Sequence, residues 1–185
     1  SKIAELNLGS IEIVEVSEPV LKAMSDTVSP QGLISLCYTP ASNISDLTLT
    51  GHSILIYLHE MRDPGNAGTI LRTADAMGIT AVITSPDSVD MYSPKVVRST
   101  AGSLWNIPVY EGVTFQALTS MFPDTQRILL SSHASTSILD MKIAGDCIAV
   151  FGNEARGVDA AALGAAVTEV TIPMAGNAES LNLSA

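Results

Sequence analysis

The sequence predicts an α/β fold built on a parallel sheet, and two observations carry that expectation. From Ser53 onward, short aliphatic runs of about five or six residues alternate with stretches of helical length, and Gly, Pro or polar clusters mark the joins. Strands separated by helices in this way pair in parallel and are covered on both faces. The composition agrees: 46% hydrophobic, 15% charged and 4% aromatic residues describe an aliphatic packed chain rather than a disordered one. At 185 residues there is enough chain for one well-buried domain and a smaller appendage.

The elements follow in order. Alternation in "IEIVEV" predicts a strand over 11–16, then a helix over 18–25, a turn at Ser29-Pro30-Gln31-Gly32 and a second strand over 33–38. Two strands and a helix do not enclose a core, so residues 1–38 are expected to be the C-terminal part of a small α/β domain. The polar, turn-rich stretch 39–52 is expected to be a linker. In the main domain, 53–185, strands are expected at 54–58, 79–84, 127–132, 147–152 and 169–174, with helices at 66–77, 93–100, 114–121 and 155–165. No repeat or low-complexity segment stands out.

No apolar run reaches the roughly 20 residues that span a bilayer, and the N-terminus lacks a basic-then-apolar signal pattern, so the expected compartment is the cytoplasm. Cys37 and Cys147 lie far apart in apolar surroundings and are expected to be buried free thiols. His52, His59 and His133 form no ligand pattern with them, so no metal is expected. A net charge of −10, from nine Lys and Arg against nineteen Asp and Glu, argues against a polyanionic partner. The distribution argues the other way: Arg62, Arg72, Lys95, Arg98 and Arg156 all fall in or beside three unusual loops.

Those loops follow strands, where ligands collect in open α/β sheets. In "LHEMRDPGNAGTILRTADAMG" a polar turn leads into a helix that Asp63 or Asn66 can cap, and Arg72 on that helix is placed either for a phosphate or hydroxyl or for a surface salt bridge. In "IAVFGNEARGVD", Gly152 and Gly157 permit close backbone approach to a flat or bulky ligand, although a capped strand-to-helix turn explains the stretch equally. It has neither the three-glycine dinucleotide spacing nor a phosphate-loop Gly-Lys-Ser/Thr. In "IPMAGNAESLNLSA", Ser180, Asn182 and Ser184 recur at every second residue, and a helix start with Glu179 near its dipole is the plainer reading.

Taken together and in order, "PGNAGTILRTADAMG", "FGNEARGVD" and "IPMAGNAESLNLS" resemble the three motifs of the SpoU branch of the SPOUT methyltransferases, the TrmH-like RNA ribose 2′-O-methyltransferases, across residues 54–185. The resemblance implies a SPOUT fold whose C-terminal part forms a deep trefoil knot, with the cofactor S-adenosylmethionine bent within it. It implies that Arg72 is the catalytic arginine, helped by Asn66, and that Glu154, Ser180 and Asn182 surround the reacting centre. Gly152, Asn153, Ile172, Met174 and Leu181, with Ser131 and the loop after "RILLSS", would hold the cofactor. A homodimer is implied, in which one subunit's motif-one arginines face the other's cofactor pocket, so that Arg62, Arg98 and Arg156 contact RNA phosphates across a shared groove. The family's third motif runs on into a C-terminal helix, which is expected beyond Ala185.

The implied activity is methyl transfer to a ribose 2′-hydroxyl without a metal. A ribose hydroxyl is a poor nucleophile at neutral pH, so a nearby group must take its proton while the methyl donor is held in line. Ribosomal RNA is the expected substrate, because "SEPVLKAMSDTVSPQGLISL" is similar to the end of the small domain with which family members bind structured rRNA. The alternatives are a tRNA ribose 2′-O-methyltransferase or a non-catalytic knotted RNA-binding protein. The joint presence of Asn66, Arg72, Glu154, Ser180 and Asn182 favours the enzyme, and the missing phosphate loop disfavours a generic nucleotide-binding protein.

Overall fold

The computed structural model describes residues 9, 11–153, 157–158, 160–163, 165–176 and 181–184, with backbone alone at 161 and 162. The chain divides between Thr39 and Pro40 into two compact units. In the first, helix α1 spans Glu18–Met24, close to expectation, and a Glu18–Lys22 pair at 3.0 Å spans one turn. The two strands expected at 11–16 and 33–38 are not formed, and the described residues of this unit hold no strand. Ile11, Ile13, Leu33 and Leu36 are exposed. An alternating pattern makes a strand only where a second strand supplies ladder hydrogen bonds and a face to bury, and the described residues of this unit supply neither.

The second unit is a six-stranded, all-parallel sheet in the order β3-β2-β1-β5-β4-β6. Its strands are β1 (Ile54–Leu58), β2 (Ala81–Thr84), β3 (Val109–Tyr110), β4 (Gln126–Leu130), β5 (Cys147–Phe151) and β6 (Thr168–Val170). Tyr57 of β1 lies opposite Ile83 of β2 and Val150 of β5. The near-continuous apolar run of β1 follows from burial on both sides. Ile56 and Leu58 pack with Met61, Ile70, Leu71 and Val96 on one face, while Leu55 and Tyr57 pack with Phe115, Leu118 and Leu163 on the other. Tyr57 Oη donates to Val113 O at 3.0 Å, and burial pushes its phenol up to about 12, so it is a neutral donor. Ile44, Leu47 and Leu49, from the stretch read as a linker, pack against this second face.

Helices α2 (Pro64–Ala76) and α3 (Pro94–Ser99) cover the first face, and α4 (Phe115–Met121) the second. Asp63 caps α2 by accepting from Asn66 N at 2.8 Å, and Pro64 opens it with a preset φ. The start therefore falls two residues earlier than expected. Replacing Asp63 with Ala should cost about 1 kcal/mol, measured by chemical denaturation. The fifth expected helix, over 155–165, is represented among the described residues only by a 3-10 turn at Ala160–Leu163. β6 stops at Val170 rather than 174 because β4 ends at Leu130. Ser131 N closes the ladder on Val170 O at 2.9 Å, and Thr171 instead exchanges bonds with Thr136 and Ile138. Cys147 is buried, which pushes its thiol up to about 11, but Cys37 is exposed, against expectation. No helix among the described residues is long and apolar enough to cross a membrane.

Candidate functional site

Strand order reverses between β1 and β5: β2 and β3 extend the sheet on one side, β4 and β6 on the other. Such a reversal opens a crevice at the carboxyl ends of the two central strands, where ligands of open α/β sheets bind. His59 N extends the β1–β5 ladder by donating to Phe151 O at 2.8 Å. The next residue, Glu60, turns the chain with φ +50°, a conformation few non-glycine residues adopt. Two bonds hold it there: Glu60 N donates to Ser85 Oγ at 2.8 Å, and Asn153 Nδ2 donates to Glu60 O at 3.0 Å. Ser88 Oγ accepts from Met61 N at 3.2 Å, so the loop after β2 supports the loop after β1. Through Asn153, the second motif fixes the entry into the first.

Gly152 is buried, and a Cβ there would lie 2.6 Å from Val158 Cγ2 and 2.8 Å from the Gly157 carbonyl carbon. Gly157 N donates to Asn153 O at 2.8 Å, and Gly157 has φ +65°. The loop's own fold-back at Gly157 and Val158 thus requires a glycine at 152. Glu154 and Arg156, expected at the reacting centre and on RNA, lie outside the described residues, as does Ser180.

The third motif comes back to the first. Ser184 Oγ donates to Asn182 Oδ1 at 2.7 Å and lies 3.3 Å from Asn66 Oδ1, while Ser184 N also donates to Asn182 Oδ1 at 2.9 Å. Leu183 packs on the α2 face of the core. Asn66 and Asn182 are thereby gathered at the N-terminal end of α2. Ile172, Met174 and Leu181 remain exposed at 44%, 37% and 51%, and Ser131 sits at the end of β4, beside Val170.

Arg72 is not part of that cluster. It is exposed and forms no ion pair with a described residue. Gly65, Gly68, Arg72 and Asp75 fall at i, i+3 and i+4 spacing on one stripe of α2. That stripe meets the α3 segment: Gly68 abuts Ser99, and Asp75 Oδ2 accepts from Asn106 Nδ2 at 3.0 Å. Bonds from Asn106 and then Ser103 hold the Asp75 carboxyl below its usual range. Arg98 and Lys95 are exposed on α3, and Arg62, exposed before α2, lies 3.8 Å from Glu60 Oε2. Exposed cations thus lie on or just before α2 and α3, although the chain as a whole is acidic. Sequence reasoning missed Glu60, Ser85 and Ser88; their part in the site arises from contacts between loops, which no local pattern announces.

A parallel sheet with three loops gathered at its switch point, and a chain end brought back onto the first of them, defines an α/β ligand-binding domain rather than a phosphate-loop enzyme. The sequence profile described as the SpoU rRNA Methylase family matches residues 53–185. The chain belongs to this family. It is 34% identical over 95% of its length to an uncharacterized tRNA/rRNA methyltransferase of Synechocystis, of which it covers 64%. It is 29% identical over 94% of its length to the 23S rRNA (guanosine(2553)-2′-O)-methyltransferase RlmP of Bacillus subtilis, of which it covers 68%. The structure of the SpoU methyltransferase AviRb from Streptomyces viridochromogenes in complex with AdoMet superposes with a TM-score of 0.72 at 27% identity, covering 78% of this chain and 60% of that one. The chain thus spans about two thirds of the length of these proteins.

The residues present fit S-adenosylmethionine by their chemistry. Main-chain groups at the ends of β4, β5 and β6 and the exposed aliphatic side chains of Ile172, Met174 and Leu181 suit an uncharged base and an aliphatic chain. His59 at the same edge keeps Nδ1 buried without a partner.

Proposed function

We propose that this chain carries the catalytic domain of an S-adenosylmethionine-dependent RNA methyltransferase that modifies a ribose 2′-hydroxyl of ribosomal RNA. The observation that carries the reading is the return of Asn182 and Ser184 onto Asn66, which joins the first and third motifs at the crevice between β1 and β5. Family membership, and relatives named for rRNA 2′-O-methylation and AdoMet binding, support it. β6 lies at the far edge of the sheet while Ser184 lies on Asn66 of α2; a return of this kind supports the trefoil knot.

In this reading Ser131, Gly152, Asn153, Ile172, Met174 and Leu181 hold the cofactor, which supplies an activated methyl group on a sulfonium. Arg72 pairs with a phosphate of the RNA and orients or deprotonates the hydroxyl. Asn66, Asn182, Ser180 and Glu154 hold the ribose in line. Arg72 lies on a different stripe of α2 from Asn66, which supports a homodimer in which each Arg72 serves the partner's crevice. Arg62, Arg98 and Arg156 bind flanking phosphates, and the compartment of this reading is the cytoplasm.

Incubation with methyl-tritiated S-adenosylmethionine and rRNA transcripts should label the RNA, and nuclease digestion should release the label as a 2′-O-methylnucleoside. Label in a base, or in tRNA alone, rejects the reading. RNA affinity should fall steeply with salt: about four phosphate contacts give a log–log slope near −3 on single-stranded RNA. A flat slope removes these arginines from the interface.

A further inference from the structure

On the opposite side of β2 from the crevice, the sheet ends at β3, which pairs only with β2 among the described strands. Against β3 lies a groove of about 450 Å³ between the 40–46 segment and the loop leading into the strand. The chain's single tryptophan, Trp105, and two of its four tyrosines, Tyr92 and Tyr110, line it. Trp105 is 55% exposed, an unusual position for the largest apolar side chain in so aliphatic a protein. No lysine or arginine lines the groove, whereas Asp46 does. The nearest cation in sequence is Lys95, one turn beyond Tyr92 and exposed on α3. Burial, and then the carboxylates of Glu111 and Asp90, raise the Tyr92 phenol; burial and then Asp46 raise that of Tyr110. Asp46 is thus the one charged side chain among the residues lining the groove.

We infer that this groove docks an extended, arginine- or lysine-bearing segment of a protein partner. Three features fit that occupant and no polyanion. The two-residue edge strand β3, unpaired on its outer side among the described strands, offers a short stretch of main chain to an added strand. Indole and phenol faces attract a guanidinium or ammonium group, which Asp46 and its neighbours then neutralise. The groove lacks the cations that an RNA backbone requires, and those lie instead along α2 and α3. The inference does not depend on methyl transfer, so its failure leaves the proposed activity standing.

Trp105 is the only indole in the chain, so tryptophan emission reports on the groove alone. The 185-residue protein should be titrated with a peptide of about eight alternating arginine and valine residues, with its glutamate counterpart and with a single-stranded RNA oligonucleotide. Saturable change with the arginine peptide and none with the glutamate peptide is the expected result. By calorimetry, Asp46→Asn should weaken the arginine peptide about tenfold and Trp105→Ala should abolish measurable binding, with circular dichroism confirming that both variants fold. Three outcomes overturn the inference: a response to RNA in place of the arginine peptide, a concentration-dependent change without peptide that signals a second copy in the groove, or no response.

Discussion

Replacing Arg72 with Ala should lower methyl transfer to RNA by about a hundred- to ten-thousandfold while leaving S-adenosylmethionine affinity within about twofold. The separation of the two effects follows from placement. Arg72 is exposed and has no ion pair with a described residue, so its removal strands no described partner and should leave thermal stability unchanged within error. The residues proposed to hold the cofactor lie on other loops. Arg72→Lys keeps the charge but loses the planar fork that engages a phosphate bidentately, and should recover only part of the rate. Single-turnover rates with saturating cofactor, beside calorimetric titration of S-adenosylmethionine, make the test. A full rate in Arg72→Ala would assign proton removal to another group, and a parallel loss of cofactor affinity would make Arg72 a pocket residue instead.

Replacing Gly68 with Ala should destabilise the main domain by about 3 kcal/mol, the upper part of the range for overpacking, and lower Tm by roughly 6–12 °C. A Cβ at this position would overlap Ser99 Oγ and lie 2.5 Å from Ser99 Cβ and 2.8 Å from its carbonyl carbon. A side chain can rotate away, but the backbone of α3 cannot move without loosening Val96 from the core and breaking the bond from Ser99 Oγ to Pro64 O at 3.0 Å. Gly68→Ala combined with Ser99→Gly removes the side-chain part of the clash and should restore some of the loss, leaving the backbone part. An unchanged Tm in the single variant would mean that α2 and α3 do not cross this closely.

Much of the sheet was legible in the chain because its strands are buried on both faces. "ILIYL", "AVIT" and "CIAVF" carry continuous apolar runs, so β1, β2 and β5 fall where expected, to within two residues. β3 has two residues and no period, so it left no trace, and it forms only because Val109 and Tyr110 lie against Val82 and Ile83. The strands read at 11–16 and 33–38 show the converse: a clear pattern without a partner strand stays coil.

The site divides in the same way. Asn66, Arg72, Gly152 and Asn182 could be picked out as candidates from the sequence, since a glycine, a capped turn and a lone arginine on an apolar helix are local signals. What the sequence determined was therefore the inventory: an aliphatic parallel sheet, three polar loops at its carboxyl edge, and the side chains they carry. Only the tertiary structure decided their arrangement. It set β5 beside β1, brought Ser184 onto Asn66, pinned Glu60 in a left-handed turn between Ser85 and Asn153, and left Arg72 on the stripe facing α3 rather than with Asn66. The reason is physical. Local patterns record which face of an element must be buried, but strand order and loop contacts depend on pairings between residues some 25 to 118 positions apart, and their energies exist only once the chain has closed.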